Sequence, residues 1–289
     1  MKLTIKFFAL LFSVILLTSF SGETKKEAYK LYNKNGKEVS YSTLLKEAQK
    51  AEIILFGELH NNPIVHWLQL ELTKDLQQKK QNLTLGAEMF ESDNQLLMDE
   101  YLNGIISEKS FKAEAKLWSN YSTDYKPLLD FAKENKIPFI ATNIPRRYAS
   151  LVYSKGIEEL ENLQIDAKQW IAPLPIKYDP TLKSYSEISK TAGGHGGENL
   201  PKSQAIKDAT MAHFIIKNHS PENTFIHYHG SYHSNNYEGI TWYLKQEKPN
   251  LKILTIGSVE QSNLDTLSQE YLNIADFILV TPENMTKTH

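Results

Sequence analysis

The chain has 289 residues, of which 41% are hydrophobic, and we predict one large domain with a single core. Its 32 basic and 34 acidic residues give a net charge of -2, so it lacks the basic excess of a broad nucleic-acid-binding surface. It contains no cysteine, which excludes disulfides, thiolate metal ligands, cysteine nucleophiles and the cysteine-linked lipid of bacterial lipoproteins. Any metal would be bound by His, Asp, Glu, Tyr or backbone oxygen.

The first residues have the pattern of a secretory signal. Lys2 and Lys6 precede a nearly unbroken apolar run over residues 7–17, which is shorter than the roughly 20 residues of a membrane-spanning helix. We therefore predict that residues 1–21 are a cleaved signal peptide and that Gly22 begins the mature chain. The protein would be exported to the periplasm or cell envelope and would not associate with the membrane after cleavage. An uncleaved N-terminal anchor is the alternative.

The mature chain alternates apolar strands with amphipathic helices. Residues 29–41 predict two short strands around an Asn-Gly turn. Further strands are predicted at 52–56, 83–87, 137–141, 224–229, 251–256 and 277–280. Helices are predicted at 42–50 (with Ser42 as N-cap), 63–80, 126–135, 145–153 and 202–218. This alternation predicts one α/β domain over residues 22–289, with a mainly parallel sheet flanked by helices.

One segment interrupts the alternation. Residues 171–201 are rich in proline and glycine, which predicts a long lid or binding loop. The segment carries Tyr178, Tyr185 and His195. Tyrosine phenolate and imidazole both serve as axial ligands of haem iron, so these three residues are candidate haem ligands. The alternative is a loop whose tyrosines have no special role.

Polar residues follow several of the predicted strands. Two of them lie in G-x-x-H turns, Gly57 to His60 and Gly230 to His233. Because ligands bind beyond the carboxyl ends of parallel strands, we expect both imidazoles at one edge of the sheet. His60 and His233 could then share a metal with a carboxylate oxygen of Glu88 or Glu58, and this donor set suits zinc, manganese or iron. The alternative is that both histidines cap helices or hydrogen-bond within loops.

The strand that ends near Glu88 is apolar, so this carboxylate needs a partner. Arg146 or Arg147 could provide it, either in a structural ion pair or at a catalytic site. His227 and His229 alternate on a predicted strand, and we expect at least one to be a core histidine that donates to a backbone carbonyl.

Five segments together resemble a known family. They are ILFGELHNNP at 54–63, AEMFE at 87–91, ATNIPR at 141–146, DATMA at 208–212 and GSYH at 230–233. In this order they are similar to the motifs of the ChaN-like haem-binding uptake proteins of the Tiki/TraB superfamily. The resemblance covers about residues 29–260.

The resemblance implies an α/β domain at the bacterial cell envelope, linked to haem or iron acquisition. Relatives in the wider superfamily are metal-dependent peptidases and other hydrolases that use paired G-x-x-H motifs, a glutamate and an arginine. These roles would map onto His60, His233, Glu88 and Arg146. Haem-binding members are often lipoproteins, and this chain departs from them because it has no cysteine.

Three functions follow from these patterns. The favoured one is an exported haem-binding protein whose 171–201 loop supplies the iron ligand. The haem could then lie at the interface of a homodimer. The second is a metal-dependent hydrolase acting on a small molecule or peptide. There Glu58 or Glu88 would be the general base, and Arg146 would stabilise the oxyanion. The third is a binding module in which an ancestral catalytic site survives as a polar cluster.

Overall fold

The computed structural model describes residues 26–79, 82–191 and 197–289, and their strands form one eight-stranded sheet. The strands are β1 (Lys30–Asn33), β2 (Glu38–Val39), β3 (Ile53–Glu58), β4 (Leu83–Glu91), β5 (Phe139–Asn143), β6 (Thr224–Gly230), β7 (Ile253–Gln261) and β8 (Phe277–Pro282). Their order across the sheet is β2-β1-β8-β7-β3-β6-β4-β5. The predicted signal peptide, residues 1–21, lies outside the described residues.

The six strands from β3 to β8 are parallel to their neighbours, as predicted. The antiparallel pair β1 and β2 adds an edge hairpin, also as predicted, and β1 pairs antiparallel with β8. Gly36 in the hairpin turn has φ +78°, a conformation that glycine adopts without strain. All six strands predicted after the hairpin are present, and each continues beyond its predicted carboxyl end.

Ten α-helices are assigned within the described residues. They are α1 (Tyr41–Ala48), α2 (Pro63–Gln78), α3 (Gln95–Leu102), α4 (Glu108–Glu114), α5 (Lys126–Asn135), α6 (Arg146–Lys155), α7 (Ile165–Lys168), α8 (Lys183–Thr191), α9 (Asn199–Asn218) and α10 (Ile240–Glu247). The predicted cap of α1 was wrong: the Ser40 side chain, and not that of Ser42, accepts the Thr43 N–H. No helix of the described residues is long and apolar enough to cross a membrane.

Both faces of the central strands are buried. On β3, Ile54 and Phe56 pack with apolar residues of α2 and α5, whereas Ile53 and Leu55 pack with residues of α9 and α10. Successive strand residues point to opposite faces, so an unbroken apolar run covers both sides of the sheet. Helices consequently lie on both faces.

The segment predicted as a long loop contains regular structure. Helix α8 lies within it, and α9 begins at Asn199, three residues before its predicted start. The carboxylate of Glu238 accepts the N–H groups of Lys183 and Ser184 at 2.9 and 2.7 Å, which caps the first turn of α8. Because this cap comes from a distant part of the chain, local composition did not reveal the helix. Whether the segment acts as a lid stays a prediction.

Candidate functional site

Four neighbouring strands bring polar residues to the carboxyl edge of the sheet. Strand β3 ends at Glu58, β6 at Gly230, β4 at Glu91 and β5 at Asn143, and these strands are adjacent in the order β3-β6-β4-β5. The ladder pairs Glu58 with Gly230 and Glu91 with Asn143. Side chains that are distant in sequence therefore meet at one place, as the sequence predicted for this edge.

The deepest part of the site is a histidine between two carboxylates. His233 lies in the short helical turn after β6, with Nδ1 at 2.5 Å from Oδ1 of Asp208 and Nε2 at 3.1 Å from Oε1 of Glu88. Glu88 also accepts the Gly230 N–H at 2.8 Å, and Asp208 accepts the Tyr185 hydroxyl at 2.8 Å. All three charged side chains are buried.

The pKa values of His233, Glu88 and Asp208 depend on one another. Burial alone lowers the pKa of His233, but Glu88 and Asp208 outweigh it and raise the pKa to about 10. Burial alone raises the pKa of Glu88, but His233, His60 and the Gly230 N–H hold it well below the usual range. Burial raises the pKa of Asp208 despite the opposing effect of His233. At neutral pH the trio therefore contains a histidinium and an ionised Glu88.

A second buried carboxylate lies beside His60. Oε1 of Glu58 is 3.0 Å from Nδ1 of His60 and accepts the Tyr125 hydroxyl at 2.9 Å, while Oε2 accepts the Gln69 amide at 2.8 Å. Burial alone raises the pKa of Glu58, but His60, the neighbouring His66 and the Gln69 amide lower it overall. Glu58 therefore stays ionised and orients the His60 ring.

His60 occupies the mouth of the site. Its side chain is 38% exposed, and its ring meets Trp118 edge-on at a centroid distance of 4.9 Å. Its backbone carbonyl accepts from the Asn120 amide at 2.8 Å and lies 3.1 Å from Nε2 of His66. A Cβ on Gly230 would lie 2.8 Å from Nε2 of His60, so a side chain at this glycine would displace the imidazole.

The arginines do not pair with Glu88, in contrast to the sequence-based expectation. Arg146 Nε donates to Oε1 of Glu91 at 2.7 Å, and Arg147 donates to Asp93 at 2.5 Å. Glu88 is instead bound by His233 and a backbone N–H. The Arg146 side chain is 63% exposed, although its partner Glu91 is buried.

Two cavities open on either side of His60. The larger, of about 670 Å³, is within the usual size range of ligand pockets, and Glu88, Arg146, Lys207, His233 and Trp118 contribute to its walls. Two buried amide oxygens in its walls, Oδ1 of Asn120 and Oδ1 of Asn143, have no hydrogen-bond partner among the described residues. The smaller, of about 490 Å³, includes Glu58 and Gly230. His60 and His289 line both.

The three candidate haem ligands of the 171–201 segment have different environments. Tyr185 is fully buried and its hydroxyl donates to Asp208, so this oxygen is not exposed to a ligand at the surface. Tyr178 is half-buried, its ring lies 5.7 Å from that of Tyr185, and its hydroxyl makes no hydrogen bond within the described residues. His195 lies outside the described residues. Tyr178 is therefore the described candidate whose oxygen is accessible.

The predicted metal ligands converge without forming a metal centre. Both ring nitrogens of His233 face carboxylates, and Nδ1 of His60 faces Glu58. Across the described residues, no group of three or more His, Asp or Glu side chains is arranged to hold a metal ion. The arrangement is one of hydrogen-bonded ion pairs.

Several contributors were not identified from the sequence. Asp208 lies on the buried face of α9, and although its motif was recognised, nothing local showed that it meets His233. Asn120, which donates to the His60 carbonyl, carries no motif of its own. Of the two strand histidines, His229 places Nδ1 3.2 Å from the His227 carbonyl, which confirms the expected core histidine.

The fold and site define an α/β protein with a parallel sheet and a buried histidine–carboxylate network at its carboxyl edge. Residues 44–244 match the profile of the family described as "Haem-binding uptake, Tiki superfamily, ChaN". The match covers most of the chain, and the chain belongs to this family.

Solved structures share the fold of this chain. A structure described as "Cofacial heme binding to ChaN of Campylobacter jejuni" superposes with a TM-score of 0.64 at 18% identity, covering 89% of this chain and 98% of that one. A succinoglycan biosynthesis protein has a TM-score of 0.50 at 12% identity, covering 83% of this chain and 90% of that one. These identities show a shared fold alone.

A curated relative is the chloroplastic protein RETICULATA-RELATED 5 of Arabidopsis thaliana. It is 22% identical over 183 residues, which cover 58% of this chain. The match spans 25% of the length of that plant protein.

Proposed function

We propose that this protein binds haem for uptake and that the Tyr178 phenol is the axial ligand of the iron. The match of residues 44–244 to the haem-binding uptake family carries the proposal. Ferric iron needs an oxygen or nitrogen donor, and the Tyr178 hydroxyl makes no hydrogen bond with another described residue. Burial raises the pKa of this phenol, so iron binding has to displace its proton.

The residues that precede Tyr178 in the chain line a cavity that could receive one edge of a haem. Residues 172–177, directly before it, form a cavity of about 270 Å³ with α9 and α10. Its walls are mainly apolar and include Pro173, Ile176 and Ala212. Such walls suit the edge of a macrocycle. Lys177 lies at the same cavity and offers a positive charge to a propionate.

This cavity is too small to enclose a whole macrocycle, so most of the haem would be left uncovered. Haem binding to ChaN of Campylobacter jejuni is described as cofacial. Two haems stacked face to face would cover one another. A homodimer that pairs two such sites accounts for an open binding surface on each protomer.

Haem titration tests the proposal directly. The wild-type protein should give a saturable Soret band, and Tyr178→Phe should shift that band and weaken binding about tenfold or more, because the axial oxygen is lost. Tyr185→Phe is the matched control, since it removes a neighbouring hydroxyl that points to Asp208. Wild-type spectra and affinity in Tyr178→Phe would reject this ligand, and a wild type without saturable binding would reject haem.

We also propose that the protein acts outside the cytosol. The basic residues and apolar run before residue 21 support export, and haem uptake takes place at the cell envelope. Intact-mass measurement of protein from the periplasmic or secreted fraction should show a chain that begins near Gly22. A cytosolic protein that still begins at Met1 would contradict this proposal.

Within the part of the chain that the structure describes, no contact favours metal-dependent hydrolysis. Glu58 and Glu88 are each surrounded by hydrogen-bond donors, and the imidazole nitrogens of His233 face carboxylates. These groups are arranged as a buried polar network, so haem binding is the function proposed.

A further inference from the structure

The segment after β8, residues 283–289, runs back across the carboxyl edge of the sheet. We call it the C-terminal strap. Its backbone is fixed by the Thr288 N–H, which donates to the Asn61 carbonyl at 3.0 Å. The Thr288 hydroxyl donates to Oδ2 of Asp124 at 2.7 Å, and Lys287 forms an ion pair with Glu260. Three separate contacts therefore hold the last residues of the strap.

These three contacts of the strap are made to groups at or near the turn that presents His60. Asn61 is the next residue in the chain. Asp124 accepts the Asn120 amide at 2.7 Å, and the same amide nitrogen donates to the His60 carbonyl at 2.8 Å. Glu260 accepts from the side chain of Asn62 at 2.8 Å. The strap is consequently tied to both sides of the turn that presents His60.

The end of the strap lies where the two cavities meet. His289 and His60 are the two described residues that line both cavities. His289 is exposed, whereas the His60 side chain is only 38% exposed. The strap thus forms a wall shared by the two openings, and it adds a third imidazole to a site that contains His60 and His233.

We propose that the C-terminal strap is a built part of the site, in which Thr288 anchors a wall that limits access to His60 and His289 contacts the ligand that reaches it. The anchoring bond to Asp124 involves a carboxylate, and such hydrogen bonds are stronger than those between neutral groups. Release of Thr288 opens the site by joining the two cavities. The proposal stands on the strap contacts and is independent of Tyr178 and of haem.

Chemical modification of His60 tests this control of access. Diethyl pyrocarbonate modifies neutral imidazoles, and the rate at His60 can be followed by mass spectrometry of the digested protein. A chain that ends at Asn284 should be modified about tenfold faster at His60 than the wild type, and Thr288→Val should give a smaller increase in the same direction. Rates are compared at the plateau of the pH profile, so that a change in the pKa of His60 is not read as a change in access.

Thr286→Val is the matched control for Thr288→Val. Thr286 is exposed in the same segment and its hydroxyl has no hydrogen bond among the described residues, so this variant should keep the wild-type rate. His213, on α9, serves as an internal reference for general unfolding. An unchanged His60 rate in both the shortened chain and Thr288→Val would overturn the proposal. If the shortened chain also reacts faster at His213, it is partly unfolded, and the proposal is then judged on the His60 rate of Thr288→Val alone.

Discussion

Replacing His233 by alanine is expected to lower the free energy of unfolding by about 3–5 kcal/mol. His233 is 5% exposed and lies between two buried carboxylates, at 2.5 Å from Asp208 and 3.1 Å from Glu88. Without the imidazolium, both carboxylates are left in the interior without their positive partner. A buried charge that loses its partner destabilises a protein far more than a lost surface ion pair. Urea-induced unfolding measures the difference.

His213→Ala is the control for this substitution. His213 is a half-buried histidine on α9 with no carboxylate in hydrogen-bond contact among the described residues, and burial lowers its pKa. Its removal should change the free energy of unfolding by less than about 1 kcal/mol. If both variants lose the same small amount of stability, the His233 trio does not contribute a buried ion pair to the fold.

The free energy of unfolding should pass through a maximum near pH 6.5, the ordinary pKa of histidine. Below this pH, the unfolded chain protonates His227 and His229 but the folded chain does not. Burial and the neighbouring His229 hold the pKa of His227 well below its usual value, and burial and His233 lower the pKa of His229 to about 3. Stability is therefore lost as pH falls from about 6.5.

Above the maximum, His233 produces the opposite slope. Burial opposes the effect of Glu88 and Asp208, but the pKa of His233 is still raised to about 10. The stabilisation is fully present below pH 6.5 and decreases as pH rises toward 10, because the unfolded chain has already released its proton. Each proton contributes up to about 1.4 kcal/mol per pH unit.

Unfolding curves recorded between pH 4.5 and 10 check both slopes. In His233→Ala the decrease above pH 6.5 should become smaller. The part that remains belongs to His60, since burial lowers the pKa of this residue but Glu58 and Glu88 raise it overall. The loss on the acid side should remain because His227 and His229 are intact. A wild-type stability that is constant from pH 6.5 to 10 would show that His233 is not held as an imidazolium in the folded protein.

Local sequence was sufficient to predict the strands and five of the ten α-helices in the described residues. The six parallel strands are short apolar runs, and helices lie between most of them. Burial on both faces makes such runs easy to recognise. The predicted carboxyl ends of the strands were too early. In the fold, Glu58, Glu88 and Glu91 remain within strands because partners from elsewhere neutralise or hydrogen-bond them.

The meeting of His60, Glu88 and His233 at one sheet edge also followed from the sequence, because carboxyl ends of parallel strands share an edge. Which groups pair there depended on the strand order. Strand β6 inserts between β3 and β4, so it brings His233 to Glu88, whereas β5 lies beyond β4 and directs Arg146 to Glu91. The order of the strands along the chain does not show that β6 lies between β3 and β4 in the sheet.

Long-range contacts decided the remaining features. Helix α8 begins where Glu238 caps it, Asp208 reaches His233 from α9, and the strap crosses to Asn61 and Asp124 from the far end of the chain. In each case the partner is distant in sequence, and periodicity and turn signals describe only neighbours along the chain. The sequence by itself thus determined the elements and the edge at which polar groups gather. The tertiary structure determined which charges pair, because pairing follows from distances that only the packed sheet and helices set.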